Sequence, residues 1–201
     1  MARPIIAALG FRAHTGWAAV VAVMPQWEVV ERRRISYEPE ATRFIYHRAT
    51  EVACNEAEAL IGTARTQASD RVRKEIQDLA SALSDRGIAV VAACMQGGNA
   101  RLPTSLPEIL AAHSRIHAAE GAFYRDVLAD GCAQIGLPVS RVPAPDLLAV
   151  ASKTLACNED KLRERLATLG KQLGPPWGED QKLATLAALI ALNTRTAEAK
   201  V

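Results

Sequence analysis

Four histidines, His14, His47, His113 and His117, hold most of the chemistry legible in this chain of 201 residues. His113 and His117 stand four apart in a segment patterned as helix, so their rings rise from one face and can share a metal ion, as at many zinc sites. Glu120 lies about 10 Å along the axis from His113 at 1.5 Å per residue, which suits orienting an imidazole or moving a proton better than joint ligation. His14 stands in Arg12-Ala13-His14-Thr15-Gly16, a turn of small residues that leaves backbone N–H groups accessible. His47 stands in Tyr46-His47-Arg48 near a helix start, with Glu51 one turn on. The reaction class these groups suit is metal- or histidine-assisted hydrolysis of a small polar or phosphorylated substrate. His14, His113 and His117 would be ligands or acid–base groups and Glu120 the orienter. Arg12, Thr15, His47, Arg48 and Tyr124 would meet the substrate, with the arginines clamping an anion. A divalent metal is the cofactor such a set would take.

Successive helical residues turn by about 100°, which puts positions 106, 110, 113, 117, 120, 124 and 128 on one stripe. Leu106, Leu110 and Leu128 mark that stripe as core-facing. His113 and His117 are therefore expected on the buried side, against a sheet, and Arg115 on the solvated side. Polar groups buried without partners cost roughly 1–3 kcal/mol each. His113, His117, Glu120 and Tyr124 either satisfy one another in a structural network or line a pocket for a metal or polar ligand. The first reading makes the chain a non-catalytic binding or assembly module; the pattern leaves both open.

The elements that must position these residues follow from periodicity. Ile5 to Arg12, Trp17 to Met24 and Trp27 to Tyr37 read as strands joined by short turns at His14-Thr15-Gly16 and Pro25-Gln26, hence an antiparallel meander that Glu38-Pro39-Glu40 ends. From about Thr42 a helical pattern runs through Ile61, Ala64, Ala68, Val72, Ile76, Leu79 and Leu83 to a stop at Gly87. Ile88 to Cys94 is a fourth strand, and Gln96-Gly97-Gly98-Asn99 a loop. Leu106 to Ile135 reads as one long helix, with Ser105 and Glu108 at capping-box spacing. Leu137 to Val142 is a fifth strand. Helices are expected near residues 146–156, 158–173 and, after Gly174-Pro175-Pro176-Trp177-Gly178, 179–193. A meander followed by right-handed crossovers into two parallel strands gives an α/β fold, a mixed five-stranded sheet with helices on both faces, as one domain over residues 1–201.

That order is similar to the ribonuclease H-like fold. The C-terminal half looks most like its Holliday-junction resolvase branch, in Gly136-Leu137-Pro138-Val139, then Val142-Pro143, then Glu179-Asp180 opening an alanine–leucine helix. The resemblance implies clustered carboxylates that hold two metal ions. It places the first acid on strand one in a Leu-Gly-Phe-acid pattern, where this chain has Leu9-Gly10-Phe11-Arg12. It places the second on or just after strand four, where this chain has Ala92-Ala93-Cys94-Met95. Glu179 and Asp180 alone stand where that pattern has an acid, and dipole stabilisation by itself selects acids at a helix start. With these departures the resemblance implies that the nuclease chemistry is lost. His14-Thr15-Gly16-Trp17 together with His113-x-x-x-His117-x-x-Glu120-Gly121 also resembles a group of bacterial proteins, a likeness that brings no activity with it.

Composition excludes other classes. A 49% hydrophobic fraction with a net charge of +2 excludes disorder, and 38 alanines against 4% aromatics favour closely approaching helices. The opening residues lack the apolar stretch of an export signal, and Leu183 to Leu192 is half a membrane span, so no membrane association is expected. Cys54, Cys94, Cys132 and Cys157 form no Cys-x-x-Cys pair, which fits reduced thiols and a cytoplasmic protein. A pI near 8.4 is too mild to argue for nucleic acid, which is not expected as a partner. Arg32-Arg33-Arg34 keeps a residual nucleic-acid binder as an alternative, although on a strand these side chains alternate between faces. Nucleophile-elbow and P-loop motifs are absent.

Overall fold

Three strands open the chain, and the first two are buried on both faces along most of their length. In the computed structural model, which describes residues 5–37 and 43–198, β1 (Ile5–His14), β2 (Trp17–Met24) and β3 (Glu28–Ser36) form the antiparallel meander. Gly16, at φ +79°, makes the two-residue turn between β1 and β2 that an L side chain would strain. Glu38-Pro39-Glu40 and Thr42, read above as the meander's end and the next helix's start, lie outside the described residues. β4 (Ile88–Gly97) pairs parallel to β1, and β5 (Val139–Pro143) parallel to β4, giving one five-stranded sheet in the order β3-β2-β1-β4-β5.

Side chains alternate across a strand, and each face carries its own helical layer. Leu9, Phe11, Val20 and Ile35 pack with α2 (Cys54–Ser84) and α4 (His113–Ala133) through Val72, Ile76, Leu79, Val127 and Leu128. Ala8, Val21, Cys94 and Val142 pack with α5 (Leu147–Thr154), α6 (Glu159–Leu173) and α7 (Glu179–Glu198) through Leu147, Leu162 and Leu189. The alanine content does its work in α7: Ala184, Ala187, Ala188 and Ala191 are buried, and a Cβ on Gly10 would collide with the Ala184 carbonyl. No helix of the described residues is long and apolar enough to cross a membrane.

Two helices expected to be continuous are broken, and both breaks shape the site. The first becomes α1 (Ile45–Ala49) and α2, with residues 50–53 between them. The second becomes α3 (Leu106–Leu110) and α4, because Ala112 is extended at φ −141° and ψ 125°. Ala111 and Ala112 close α3 through the carbonyls of Pro107 and Ile109, and the Ala112 carbonyl accepts the first N–H groups of α4 from Arg115 and Ile116. Arg115 then donates to the Glu108 carbonyl at 2.9 Å, tying the two pieces together. Ser105 makes no side-chain cap bond, so the capping-box expectation does not hold.

Candidate functional site

β1, β3 and β4 run in one direction, so their C-terminal ends share an edge of the sheet. His14 ends β1, and α4 follows β4 through α3. The histidines divide into two groups here rather than one.

His47, His113 and His117 converge. One ring nitrogen from each lies within 4.8 Å of the others, and among the described residues they form a set that could hold a metal ion. His117 Nε2 and His113 Nε2 stand 2.8 Å apart, so a single proton lies between them. The His47 ring meets both edge-on, with centroids 4.8 Å from His117 and 5.5 Å from His113. His113 and His117 are exposed, which corrects the expectation that they face the sheet. The stripe itself holds within α4, where Glu120, Tyr124 and Leu128 are buried, but at the start of the helix its two histidines are left uncovered.

Glu120 is the buried member, at 3% exposure. Its Oε1 accepts the Tyr46 N–H at 2.7 Å and faces the His47 N–H and Nδ1 at 3.4 Å each. Those amides open α1 and have no helical partner of their own, so the carboxylate of α4 caps α1 and fixes His47 above His113 and His117. Burial raises the Glu120 pKa, against a lowering by the bonds from Tyr46 and His47. Its Oε2 is buried without a hydrogen-bond partner.

Tyr124, read as a substrate contact, is corrected to a core residue: it is buried and stacks on Tyr37 at 5.6 Å. Arg48 is exposed on α1, and Thr15 is half-buried in the β1–β2 turn. His14 belongs to the second group. Its Nε2 donates to Asp180 Oδ1 at 2.8 Å, its ring stacks on Trp17 at 4.2 Å, and Arg12 Nε lies 3.8 Å from the same carboxylate oxygen. A carboxylate-held metal pair does not fit these residues, because a cation beside Asp180 would meet the Arg12 guanidinium. Arg32 donates to the carbonyls of Leu173, Gly174 and Pro176, Arg33 pairs with Glu31, and Arg34 lies over Trp17. The arginine run therefore fastens β3 to its surroundings.

Gln96 and Arg125, both near this edge, went unnoticed in the sequence. Gln96 carried the signal of a loop, whereas β4 continues through it. The pairing of His14 with Asp180 spans 166 positions and has no local signal.

No protein-family model matches the chain, and no curated protein does. Solved structures do. T. thermophilus RuvC in complex with Holliday junction substrate is 11% identical, with a TM-score of 0.53 over 96% of each chain. A second Thermus thermophilus RuvC structure is 8% identical, with a TM-score of 0.51 over 96% of each chain. The first of these overturns the exclusion of nucleic acid drawn from the pI, since a protein of the same architecture holds a branched DNA. The chain has the ribonuclease H-like α/β fold of the RuvC resolvases.

Proposed function

We propose that the chain binds a divalent metal of the zinc type through His47, His113 and His117, and that this centre hydrolyses a small polar or phosphorylated substrate. The observation that carries the reading is the convergence of three imidazole nitrogens within 4.8 Å, with a buried carboxylate behind one of them. Zinc holds imidazole nitrogens at roughly 2.0–2.1 Å in a tetrahedron, so its ligand atoms stand about 3.3–3.4 Å apart. The 2.8 Å contact of His113 with His117 is shorter than that spacing and would have to open to admit the ion. With Nδ1 toward Glu120, His47 offers Nε2, the arrangement in which a carboxylate fixes the tautomer of a metal-bound histidine. His47, His113 and His117 would leave one position of such an ion open, and the metal would supply Lewis-acid activation of water or substrate there. A reducing cytoplasm suits the four thiols of such a protein.

Metal-stripped protein is the test. One equivalent of zinc should raise Tm, and cobalt should give the visible absorption of a tetrahedral site. His117→Ala should lose both responses. Hydrolysis of p-nitrophenyl phosphate should follow metal loading. Failure of the wild type to take up one equivalent overturns the reading.

The RuvC structure that contains a Holliday junction favours a second reading, branched DNA as a ligand of this fold. With Arg12 on β1 and no described carboxylate beside it except Asp180, the expected outcome is salt-dependent binding without magnesium-dependent cleavage. Cleavage of a four-way junction that Asp180→Asn abolishes would sink that expectation.

A further inference from the structure

Between the β2–β3 turn and α6 lies an open groove of about 580 Å³. Gln26 and Trp27 line it from the turn, Cys157 from the segment joining α5 to α6, and Lys161, Glu164 and Arg165 from α6 itself. A volume of that size suits a small organic molecule. The backbone around it is strained. Gln26 at φ 59° and Trp27 at φ 70° form the centre of the turn, where the Glu28 N–H donates to the Pro25 carbonyl. Asparagine and glycine ordinarily supply that geometry. Ala156, next to Cys157, stands at φ 47°. Three of the four non-glycine residues at positive φ among the described residues therefore border this groove. Strain of this kind gathers at ligand clamps.

The α6 wall carries charges without partners. Arg163 takes both acids of the first turn, Glu159 and Asp160, and Lys161 and Arg165 have no ion pair among the described residues. Both are exposed and stand four apart, so two like charges share one helix face, an arrangement that destabilises it. The Arg165 guanidinium lies over the buried Trp27 ring, 4.9 Å from its centroid. Stacking orients the guanidinium and leaves its in-plane N–H donors open, a fork that matches a carboxylate. Glu164 opposes the two cations and brings the wall to a net charge of +1, which complements a monoanion better than a dianion. Leu169 and Cys157, both half-buried, add apolar surface beside the charges.

We infer that this groove binds a small monocarboxylate with an apolar body. The carboxylate meets the Arg165 fork and the Lys161 ammonium, and relieves their mutual repulsion. The apolar body lies along Leu169 and Cys157. The groove shares no residue with the histidine cluster, so it stands or falls separately from the metal reading.

The experiment titrates the full chain with octanoate, acetate and octylammonium by calorimetry, at about pH 7.5, where the carboxylates are ionised. Octanoate should bind saturably and at least about tenfold more tightly than acetate or octylammonium. Arg165→Gln should weaken octanoate binding by at least about tenfold, and Lys161→Gln should weaken it less. Glu164→Gln should tighten it about two- to fivefold by removing the opposing charge. All three side chains are exposed, so each variant keeps the fold. Saturating octanoate should also slow the reaction of Cys157 with a disulfide reagent and leave that of the exposed Cys54 unchanged. His117→Ala should leave octanoate binding unchanged. The absence of saturable octanoate binding overturns the proposal, as does acetate or octylammonium binding equally well. Affinity that survives Arg165→Gln, weaker binding by Glu164→Gln, or an unprotected Cys157 overturns it too.

Discussion

Glu120 links the exposed histidines to the core. Its carboxylate is shut away from water, and burial raises its pKa more than the bonds from Tyr46 and His47 lower it. A carboxyl that holds its proton more tightly folded than unfolded contributes stability below the ordinary glutamate range. That contribution is lost as pH rises through the raised value. In metal-free protein, Glu120→Gln keeps an acceptor for the Tyr46 N–H and removes the buried charge. Urea unfolding should show the wild type losing stability relative to Glu120→Gln as pH rises above the ordinary glutamate range. A wild type that gains over the same range would contradict the burial argument. Metal affinity should move the other way, falling about 10–100-fold in Glu120→Gln as His47 loses its orienting partner. The spacing put Glu120 near His113 and His117, whereas its carboxylate meets His47, 73 positions away, a pairing with no local signal. The exposure of His113 and His117 was not legible, because a stripe they share with the buried Glu120, Tyr124 and Leu128 does not say where along the helix the covering layer begins.

At the scale of elements, the close packing of α7 on β1 sets the His14–Asp180 contact. Its alanine face sits so close to β1 that a Cβ on Gly10 would collide with the Ala184 carbonyl and press on the Ala188 nitrogen. Backbone atoms on a packed helix cannot rotate away as a side-chain tip can. Gly10→Ala, which in an open strand would help by stiffening the unfolded chain, should here cost about 1–3 kcal/mol through overpacking. The helix must also shift away from β1, carrying Asp180 with it and lengthening the 2.8 Å contact with His14. Chemical denaturation measures the first effect, and the His14 ring signals in NMR report the second. Gly62, where a Cβ meets nothing within 4 Å, is the control. Gly62→Ala in mid-α2 should stabilise by up to about 1 kcal/mol. The five strands and the two-layer arrangement were legible because period-two and helical patterns are local. The closeness of β1 to α7 was visible only as an alanine-rich helix and a glycine on a strand, with nothing to say that the two meet.

The whole molecule is one sheet with a helical layer on each side, and its two buried thiols report on those layers separately. Cys94 lies in the core under α7, Cys132 in the core under α2 and α4. Cys54 is exposed and Cys157 half-buried. Burial pushes the Cys132 thiol up to about 12 and raises that of Cys94, so neither is reactive in the folded state. With a disulfide reagent at pH 8, Cys54 should react fast and Cys157 more slowly, while Cys94 and Cys132 wait for the structure to open. Every strand of the sheet contributes to both layers, so neither layer can be lost while the other keeps its floor. If the chain unfolds as a single cooperative domain, Cys94 and Cys132 should report the same opening free energy, with the same dependence on denaturant. A difference of more than about 2 kcal/mol would mean that one layer opens alone, against the shared sheet. Adding zinc should raise both opening free energies together, because the histidine site joins α1 to α4 and its gain reaches Cys94 only through the whole fold.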